Sequence, residues 1–484
     1  MRYADLAIIA VYLLFITWFG AQFKDSQKTL RDYFLGGREA PWWAIAFSIV
    51  SAETSTLTVI GTPALSLAGN FAFLQLVLGY LVGRFVIVLL FLPQYFRGEM
   101  FTAYELMQRR FGPRVRKYTA GTFLVLRTLA EGVRVFAVSI VISIVLGTGE
   151  MASIAVIVCL TLFYTFQGGM TAVIWTDVVQ MVLYICGAIV SFVLMLQLIP
   201  GGWPHVVQLA AAAHKFQVFD FRFSFSAAFF HRSYSFWAGL LGGCFLVTAS
   251  HGTEQMLVQR LLSAKNERAS RVALLSSWFV IFFQFALFLL IGVVLWVFYK
   301  DTGRPLPAVP ERTYPEFIWT HLPVGLAGLL IAAILAAAMS NLSAALNALA
   351  STTIMDFLKP LRPHYSEAHY LRLARWATVG WGVILFAVGL AARHWGRILE
   401  AGLSIASVLY GALLGVFLLG MLTKRPGEWS AIVGMTAGFI STLLLFRSQV
   451  AYTWFVLVGS TVTFVVGYAC SFVLREREFT RVAA

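Results

Sequence analysis

Long apolar stretches separated by short charged gaps dominate this chain of 484 residues. A helix needs about 20 apolar residues to cross the hydrocarbon core of a bilayer. The pattern therefore predicts an all-α polytopic membrane protein with about 13 transmembrane helices. We place these spans, numbered 1 to 13 in chain order, at 4–22, 41–66, 71–96, 118–147, 152–166, 173–199, 234–256, 272–299, 318–352, 376–392, 398–422, 427–446 and 451–474.

The composition agrees with this pattern and excludes other classes. Hydrophobic residues make up 60% of the chain, and the polar stretches 200–233 and 300–317 are too short to fold as soluble domains. The apolar core at the N-terminus is too long for a signal peptide, so we interpret it as a retained span. The four cysteines all fall inside spans, where we interpret them as small buried apolar residues without a disulfide or metal pattern.

The formal net charge of +14 reflects topology rather than a nucleic-acid partner. Basic residues concentrate in the gaps after spans 1, 3, 7, 9 and 11 and in the tail, which contains Arg475, Arg477 and Arg481. The positive-inside rule places these segments in the cytoplasm, although the gap with Arg393 and Arg397 is basic on the other side. We therefore predict a multi-pass protein of the plasma (inner) membrane, with its N-terminus outside and its C-terminus cytoplasmic.

Span 2 carries a polar run in its middle, from Ser51 through Glu53 and Thr54 to Thr56. An ionisable residue within a span is costly, and by default it faces a cavity or a charged partner. The run is typical of a broken helix in a transporter, where freed carbonyl groups can ligate a cation. The alternative is an unbroken helix whose hydroxyl groups bond back to the backbone, with Glu53 paired to a neighbour.

Spans 4 and 6 also contain charged residues. Arg127, Glu131 and Arg134 lie at helical spacing on one face of span 4. They form either a ladder of ion pairs or a site at which one arginine binds an anionic group. Asp177 lies in the cytoplasmic half of span 6, where it is a cation ligand, a proton carrier or the partner of a basic loop residue.

Span 9 combines many alanines with four polar residues, Ser340, Asn341, Ser343 and Asn347. Small residues allow close helix packing, but they do not account for these side chains. Oxygen atoms that face a broken helix are what a Na⁺ site requires, because Na⁺ is a hard cation. Span 7 has a second polar interruption around His251, which we interpret as a structural or interfacial histidine rather than a proton relay. Interruptions five spans apart indicate an inverted-repeat transporter.

Four segments of the chain resemble the sodium:solute symporter family. They are Ser51–Thr54, the stretch 168–180 that starts Gly-Gly-Met-Thr and contains Asp177, the stretch 251–260, and Ser340–Ser343 continuing to residues 355–356. The Gly-Gly-Met-Thr stretch is the most specific of these, and with the span count the resemblance extends over essentially the whole chain. Members of this family take up sugars, proline, pantothenate, sialic acid, iodide and monocarboxylates.

The resemblance implies a fold of two inverted repeats of five helices each. An extra first helix and its cytoplasmic loop would occupy 1–40, and the first repeat (spans 2–6) with an outer loop would occupy 41–233. The second repeat (spans 7–11) would occupy 234–425, followed by two C-terminal helices and a cytoplasmic tail at 426–484. We expect a monomer or a weak homo-oligomer in the lipid bilayer.

The resemblance also implies a Na⁺ site between spans 2 and 9. By position, its ligands are the carbonyl groups of Phe47, Val50 and Ala337 and the side chains of Ser340 and Asn341. The last ligand is usually Ser or Thr in the family, so Asn341 departs from the pattern. Some members bind a second Na⁺, for which Asp177 and Ser343 match the ligand positions.

The candidate substrate contacts implied by the resemblance are Ser51, Thr54, Phe71, Gln75, Arg134 and Glu254. Ser51 and Thr54 match substrate-contacting positions of the sialic-acid carriers, while Phe71 and Gln75 have an i, i+4 relation on span 3. The arginine that those carriers use on the fourth span aligns with Ala130. Arg127 or Arg134, about one turn to either side, can replace it. The sugar carriers have a polar residue where Glu254 stands.

We therefore predict Na⁺-driven uptake of a small polar organic solute by alternating access. A proton-coupled symporter with Asp177 or Glu53 as the carrier is the alternative, and a transporter-like sensor is a remote one. An enzyme would need a nucleophile–base pair or a metal cluster, and His251 with Glu254 lacks the spacing of either. We therefore predict that the protein is not an enzyme.

Overall fold

The computed structural model describes residues 2–147, 149–307, 309–392 and 398–474. These residues form helices and connecting segments, with no β-strand among them beyond one isolated backbone bridge between Ala40 and Ala264. Arg393, Arg397 and the three arginines of the tail, which entered the orientation prediction, lie outside the described residues.

The first part of the chain ends in its longest helix. Its helices are α1 (Tyr3–Ala21), α2 (Leu30–Leu35), α3 (Trp42–Glu53), α4 (Thr56–Ala68), α5 (Leu74–Val86), α6 (Leu92–Tyr95), α7 (Tyr104–Phe111), α8 (Pro113–Leu146) and α9 (Glu150–Gln197). A π-helical turn, Ile87–Phe91, joins α5 to α6. The predicted spans 5 and 6 form the single element α9, which bends at Gly169 because that residue adopts φ 52°. Glycine reaches this backbone conformation at little cost.

The second part contains the outer segment and the remaining apolar helices. They are α10 (Gly202–Ala212), α11 (Ala227–Phe230), α12 (Gly243–Gly252), α13 (Gln255–Leu262), α14 (Glu267–Thr302), α15 (Thr313–His321), α16 (Leu326–Thr352), α17 (Lys359–Leu361), α18 (Glu367–Ala392), α19 (Ile398–Leu422), α20 (Glu428–Phe446) and α21 (Phe455–Val473). π-helical turns precede α12 at Ala238–Gly242 and follow α16 at Thr353–Leu358.

The protein is a multi-pass membrane protein. Within the described residues, ten helices are long and apolar enough to cross a membrane, and the bent pair α3 and α4 raises this number to eleven. Two shorter apolar helices, Met151–Phe163 and Ala238–Gly252, fall where spans 5 and 7 are predicted. The predicted number of 13 is therefore not confirmed by length and composition.

Spans 3 and 9 start later along the chain than predicted, for local reasons. Span 9 does not run from residue 318, because Pro323 and Gly325, at φ 91°, separate α15 from α16. Span 3 begins at Leu74 rather than at residue 71, because Asn70 accepts a hydrogen bond from the backbone N–H of Ala72 and forms a turn. Phe71 therefore lies outside the helix that holds Gln75, and the predicted i, i+4 relation does not apply.

Helix α16 lies at the centre of the molecule. Nearly all of its residues are buried, and it packs against α1, α3, α8, α9 and α18. The many alanines allow this close packing. Because Ser340 and Asn341 lie in the middle of α16, their side chains meet several other helices.

Two helices are interrupted next to α16, as the sequence predicts. α3 and α4 meet at an angle of 62°, and the break falls at Thr54 and Ser55. Ser55 caps α4 reciprocally with Thr58, so the second half of the broken helix has its own start. The second interruption separates α12 from α13 at Thr253 and Glu254.

Candidate solute and ion site

A cavity with a volume of about 140 Å³ lies between the two interruptions. Its wall contains charged and polar side chains from five parts of the chain, together with an apolar surface. The polar members include Glu53, Ser55, Thr58, Tyr80, Arg127, Arg134, Ser250, His251, Glu254 and Tyr410, and the apolar members include Leu57, Leu65, Phe73, Leu246, Val247 and Phe285. A concave site with an apolar wall and a few convergent polar groups is the usual form of a small-molecule site.

One side of the cavity is formed by an acidic residue at the first helix break. Glu53 Oε2 accepts a hydrogen bond from Arg84 Nη2 at 2.5 Å and lies 3.1 Å from His251 Nε2. The other ring nitrogen of His251 lies 2.8 Å from Ser250 Oγ. Because Glu53 ends α3 and His251 lies near the end of α12, this cluster joins the two interruptions. Glu53 is paired as the alternative interpretation of span 2 predicts, yet the helix is also broken.

The opposite side of the cavity is an ion cluster on span 4. Arg127 donates to Glu131 Oε2 at 2.5 Å and to Glu254 Oε1 at 3.1 Å, and Arg134 donates to Glu131 Oε2 at 3.2 Å. Tyr410 donates its hydroxyl hydrogen to the second oxygen of Glu254. The predicted ladder on span 4 is therefore present and extends to the second helix break.

Arg134 takes part in the ion-pair ladder and also lines the cavity. Its side chain is 23% exposed, whereas those of Glu131 and Arg127 are buried. Only Nη1 of Arg134 has hydrogen-bond partners among the described residues, so Nε and Nη2 are unpaired there. A planar guanidinium with free N–H groups can bind a carboxylate through two parallel hydrogen bonds.

Asn341 connects the span 4 cluster to the first helix break. Its Nδ2 donates to the carbonyl oxygen of Ala52 at 2.6 Å. Its Oδ1 accepts from Arg127 Nη2 at 2.9 Å and from Arg134 Nη1 at 3.3 Å. The predicted ion ligand thus lies beside the break, with its amide bonded to three protein groups.

Asp177 is fully buried beside α16 and is paired with Arg260. Its carboxylate accepts from Ser340 Oγ at 2.6 Å, from Ser48 Oγ at 2.5 Å and from Arg260 Nη2 at 2.8 Å. Of the roles left open for Asp177, ion pairing is present, although the partner is in α13. The carboxylate also lies next to Ser340, a predicted Na⁺ ligand.

The other predicted ion ligands lie around Ser340. The Ser340 hydroxyl is 2.6 Å from that of Ser51, and Ser343 donates to the Ser340 carbonyl oxygen at 2.9 Å. The Val50 carbonyl oxygen accepts from both the backbone N–H and the hydroxyl of Thr54, at 2.9 and 2.8 Å. Phe47 lies on α3, and Ala337 lies on α16, one turn before Asn341. Their roles as ligands remain predictions.

The predicted substrate contacts divide into two groups. Arg134 and Glu254 line the cavity, whereas the other four are absent from its wall in the described part of the chain. The Thr54 hydroxyl accepts from Gln284 at 2.7 Å, and Phe71 packs against Phe216. The Gln75 amide bonds to the carbonyl oxygen of Tyr234 and the N–H of Asp220. In this conformation Gln75 holds the outer segment rather than facing the cavity.

Sequence reasoning missed Arg84, Arg260, Gln284 and Tyr410. Arg84 is a charged residue inside a predicted span, so its presence in span 3 was a usable signal. Arg260 was counted as a basic residue of a cytoplasmic gap, but it is buried. Gln284 and Tyr410 give no local signal, because each contacts residues more than 100 positions away.

A multi-pass membrane protein with two interrupted helices around a cavity with convergent polar groups has the architecture of a secondary transporter. The comparison with known families agrees. Residues 33–438 match the profile of the sodium:solute symporter family. This match spans most of the chain, and the protein belongs to the sodium:solute symporter family.

The chain is similar to several curated members. The sodium-coupled monocarboxylate transporter 2 of Mus musculus is 29% identical over 426 residues, which cover 86% of this chain and 67% of that protein. The human sodium/iodide cotransporter is 28% identical over 456 residues, covering 91% and 69%. The sodium/sialic acid symporter SiaT of Proteus mirabilis (strain HI4320) is 26% identical over 475 residues, covering 96% and 94%.

Solved structures support the same fold. The structure of a Na⁺-coupled sialic acid symporter in a substrate-bound outward-open state matches with a TM-score of 0.87 at 25% identity, covering 98% of this chain and 99% of that one. Mhp1, a nucleobase-cation-symport-1 family transporter in a closed conformation, matches with a TM-score of 0.58 at 13% identity, covering 91% and 94%. The similarity to Mhp1, at 13% identity, supports the fold alone.

Proposed function

We propose that this protein is a secondary active transporter that takes up a small organic solute together with Na⁺ by alternating access. The observation that carries this proposal is the position of the cavity between two helix interruptions. Its wall includes Ala52, and the preceding residue, Ser51, bonds to Ser340 in the oxygen cluster that also contains Asp177. The family membership and the Na⁺-coupled relatives support the coupling ion. The transporter would lie in the plasma membrane.

The proposed topology keeps the N-terminus outside and the C-terminus cytoplasmic. The two shorter apolar helices would serve as spans 5 and 7 and would complete the thirteen. The boundaries of the two inverted repeats are proposed as the resemblance implies them.

The proposed Na⁺ ligands are hard oxygen atoms around Ser340. They are the carbonyl groups of Phe47, Val50 and Ala337 and the hydroxyl of Ser340, with Asp177 and Ser343 for a second ion. Na⁺ bound there would hold α3 to α16 and would favour the conformation that binds solute. The coupling must be reciprocal, so that bound solute also raises the affinity for Na⁺.

The solute that best suits the cavity carries a carboxylate and a short apolar part. Arg134 offers unpaired N–H groups to the cavity, and Leu57, Phe73 and Phe285 offer apolar contacts. The names of the relatives specify monocarboxylate, iodide and sialic acid, all of which are anions at neutral pH. One Na⁺ with one monocarboxylate moves no net charge. A second Na⁺ would add about 2.3 kcal/mol per 100 mV of membrane potential.

Proton coupling is the second candidate, and one observation favours it. Glu53 and His251 are titratable groups that touch each other on the cavity wall. A proton carrier must reach solvent during the cycle, and these two residues line a cavity next to both interruptions. Uptake driven by pH and independent of Na⁺ would identify this alternative.

Thermal unfolding of the purified full chain against a panel of solutes tests the proposal. A ligand that binds only the folded state raises its stability by mass action. We expect a carboxylate to raise the unfolding midpoint in Na⁺ but not in K⁺, and Ser340→Ala to weaken this effect. Ser460→Ala is the matched control, because the Ser460 hydroxyl bonds within its own helix, α21. Equal effects in Na⁺ and K⁺ for every stabilising solute would contradict Na⁺ coupling.

A further inference from the structure

Asn341 occupies a predicted Na⁺-ligand position, yet its contacts are those of a bridge between helices. Its Nδ2 donates to the Ala52 carbonyl oxygen at 2.6 Å. Ala52 lies in the last turn of α3, and the break before Thr56 removes the backbone N–H that would bond this carbonyl in a continuous helix. The amide of Asn341 therefore satisfies a carbonyl group that the break has freed.

The acceptor capacity of Asn341 is also fully used. An amide oxygen has two lone pairs. Oδ1 accepts from Arg127 Nη2 at 2.9 Å and from Arg134 Nη1 at 3.3 Å. No lone pair is left for a cation, and a Na⁺ at this oxygen would lie next to two guanidinium groups. Like charges at such distances in a buried site repel each other strongly.

The charge of this cluster is balanced without an added ion. Two arginines, Arg127 and Arg134, face two acids, Glu131 and Glu254, at distances of 2.5 to 3.2 Å. An additional positive charge would leave this buried group with a net charge of one, which is costly. The occupied lone pairs of Asn341 Oδ1 and the balanced charges around it are two independent arguments against a Na⁺ ion at this oxygen.

We propose that Asn341 does not ligate Na⁺ in this protein but positions Arg127 and Arg134 and ties them to the helix break. At this point the Asn341 amide, rather than an ion, joins α16 to α3, and the guanidinium pair joins α8 to α16. The inference rests on the proposed Na⁺-coupled function and confines Na⁺ to the oxygen atoms around Ser340 and Asp177.

A short chain of hydrogen bonds links the solute side of the cavity to the broken helix. Arg134 faces the cavity, Asn341 bonds to Arg134, and Ala52 bonds to Asn341. An anion that binds Arg134 would therefore act on the break through one intervening side chain. Asn341 is a positioning residue in this chain, because its own amide faces protein groups.

Na⁺ titrations of thermal stability in the full-length chain test this assignment, with K⁺ replacing Na⁺ at constant ionic strength. Asn341→Ala should leave the half-saturating Na⁺ concentration within about twofold of the unmodified protein, since loss of a group that supports a bound metal costs about tenfold or more. Ser340→Ala is the positive control and should raise that concentration by about tenfold or more. A tenfold rise in Asn341→Ala would overturn the proposal.

Asn341→Asp keeps the test decisive if the alanine variant does not fold. A carboxylate is a stronger ligand for a hard cation than an amide, so it would tighten Na⁺ binding if residue 341 were a ligand. We expect unchanged half-saturation instead, and tightening would overturn the proposal. In K⁺, Asn341→Ala should have a lower unfolding midpoint than the unmodified protein, because both arginines and the Ala52 carbonyl oxygen lose a partner. An unchanged midpoint in K⁺ would contradict the positioning role.

Failure of the proposed function has a different signature. If the unmodified protein does not respond to Na⁺ at all, Na⁺ coupling is wrong. The result agrees with an Asn341 that binds no ion, and the K⁺ comparison of Asn341→Ala with the unmodified protein still decides whether Asn341 positions the arginines.

Discussion

Asp177 and Arg260 form a buried ion pair in which Nη2 of the arginine lies 2.8 Å from Oδ2 of the acid. Ser48 bonds to both, since its hydroxyl donates to Asp177 at 2.5 Å and accepts from Arg260 Nε at 2.8 Å. The pair joins α9, α13 and α3 at the point where the second Na⁺ is proposed. An ion bound to Asp177 would therefore share the carboxylate with a guanidinium.

Removing the charge of Asp177 should destabilise the protein strongly. Asp177→Asn leaves Arg260 buried without its anion, and breaking a buried pair from one side costs about 3–5 kcal/mol. We expect a large fall in the thermal unfolding midpoint in K⁺, where no Na⁺ effect contributes. The double variant Asp177→Asn, Arg260→Gln should recover part of the loss, because no unpaired charge remains. A double variant that is less stable than Asp177→Asn would contradict this explanation.

The ion pair at the first helix break should matter more than one at the surface. Glu53→Gln leaves Arg84 buried without its carboxylate, so we expect a loss of several kcal/mol, about 3–5 by analogy with other buried pairs. Glu99→Gln is the matched control, because Glu99 pairs with Arg31 while 70% exposed, and such a pair contributes about 0–1 kcal/mol. Unfolding midpoints of the two variants provide the comparison. Similar midpoints would show that the Glu53 pair is not structurally important.

Gly169 should tolerate no side chain. It has φ 52°, and a Cβ atom there would lie 2.7 Å from the carbonyl oxygen of Tyr33. We expect Gly169→Ala to reduce the yield of folded protein or to lower its unfolding midpoint, because both the conformation and the contact are unfavourable. Gly380→Ala is the control, since a Cβ atom there meets nothing within 4 Å. Monodispersity and unfolding midpoints of both variants check this prediction. A Gly169→Ala protein with the yield and midpoint of the unmodified protein would contradict the proposed role of Gly169 in the bend.

Arg134 should determine binding of an anionic solute. Arg134→Gln removes the unpaired N–H groups that face the cavity, so the stabilisation by a carboxylate in Na⁺ should disappear. Arg134→Lys should restore it only in part, because an ammonium group cannot form two parallel hydrogen bonds. Arg222→Gln, at an arginine that is 74% exposed in the outer segment, is the control and should bind normally. Normal binding by Arg134→Gln would place the solute elsewhere.

The main features of the fold could be predicted from the sequence because they depend on local patterns. The length of the apolar stretches predicted the spanning helices, and the polar run from Ser51 to Thr56 indicated the first helix break. The predicted number of 13 spans is not confirmed, since Met151–Phe163 and Ala238–Gly252 are short for independent spans. The bend at Gly169 was missed as a feature of one continuous helix, although the gap between spans 5 and 6 fell there.

The site was predictable only where partners are close in the chain. Arg127, Glu131 and Arg134 lie within two helical turns, and their ladder follows from spacing. The partners that complete it, Glu254 and Asn341, lie 127 and 214 positions from Arg127 and could not be paired by local reasoning. The partners of Gln75 could not be foreseen for the same reason, because they come from the outer segment and the residues that precede α12.

The most direct test of the central claim is uptake of labelled solutes into proteoliposomes that contain the full chain. The panel would include lactate, propionate and sialic acid, with glucose and proline as solutes without a net negative charge. We predict that at least one carboxylate accumulates when an inward Na⁺ gradient is imposed, and that an equal K⁺ gradient or a Na⁺-dissipating ionophore abolishes accumulation. Accumulation that follows a proton gradient and ignores Na⁺ would contradict the account.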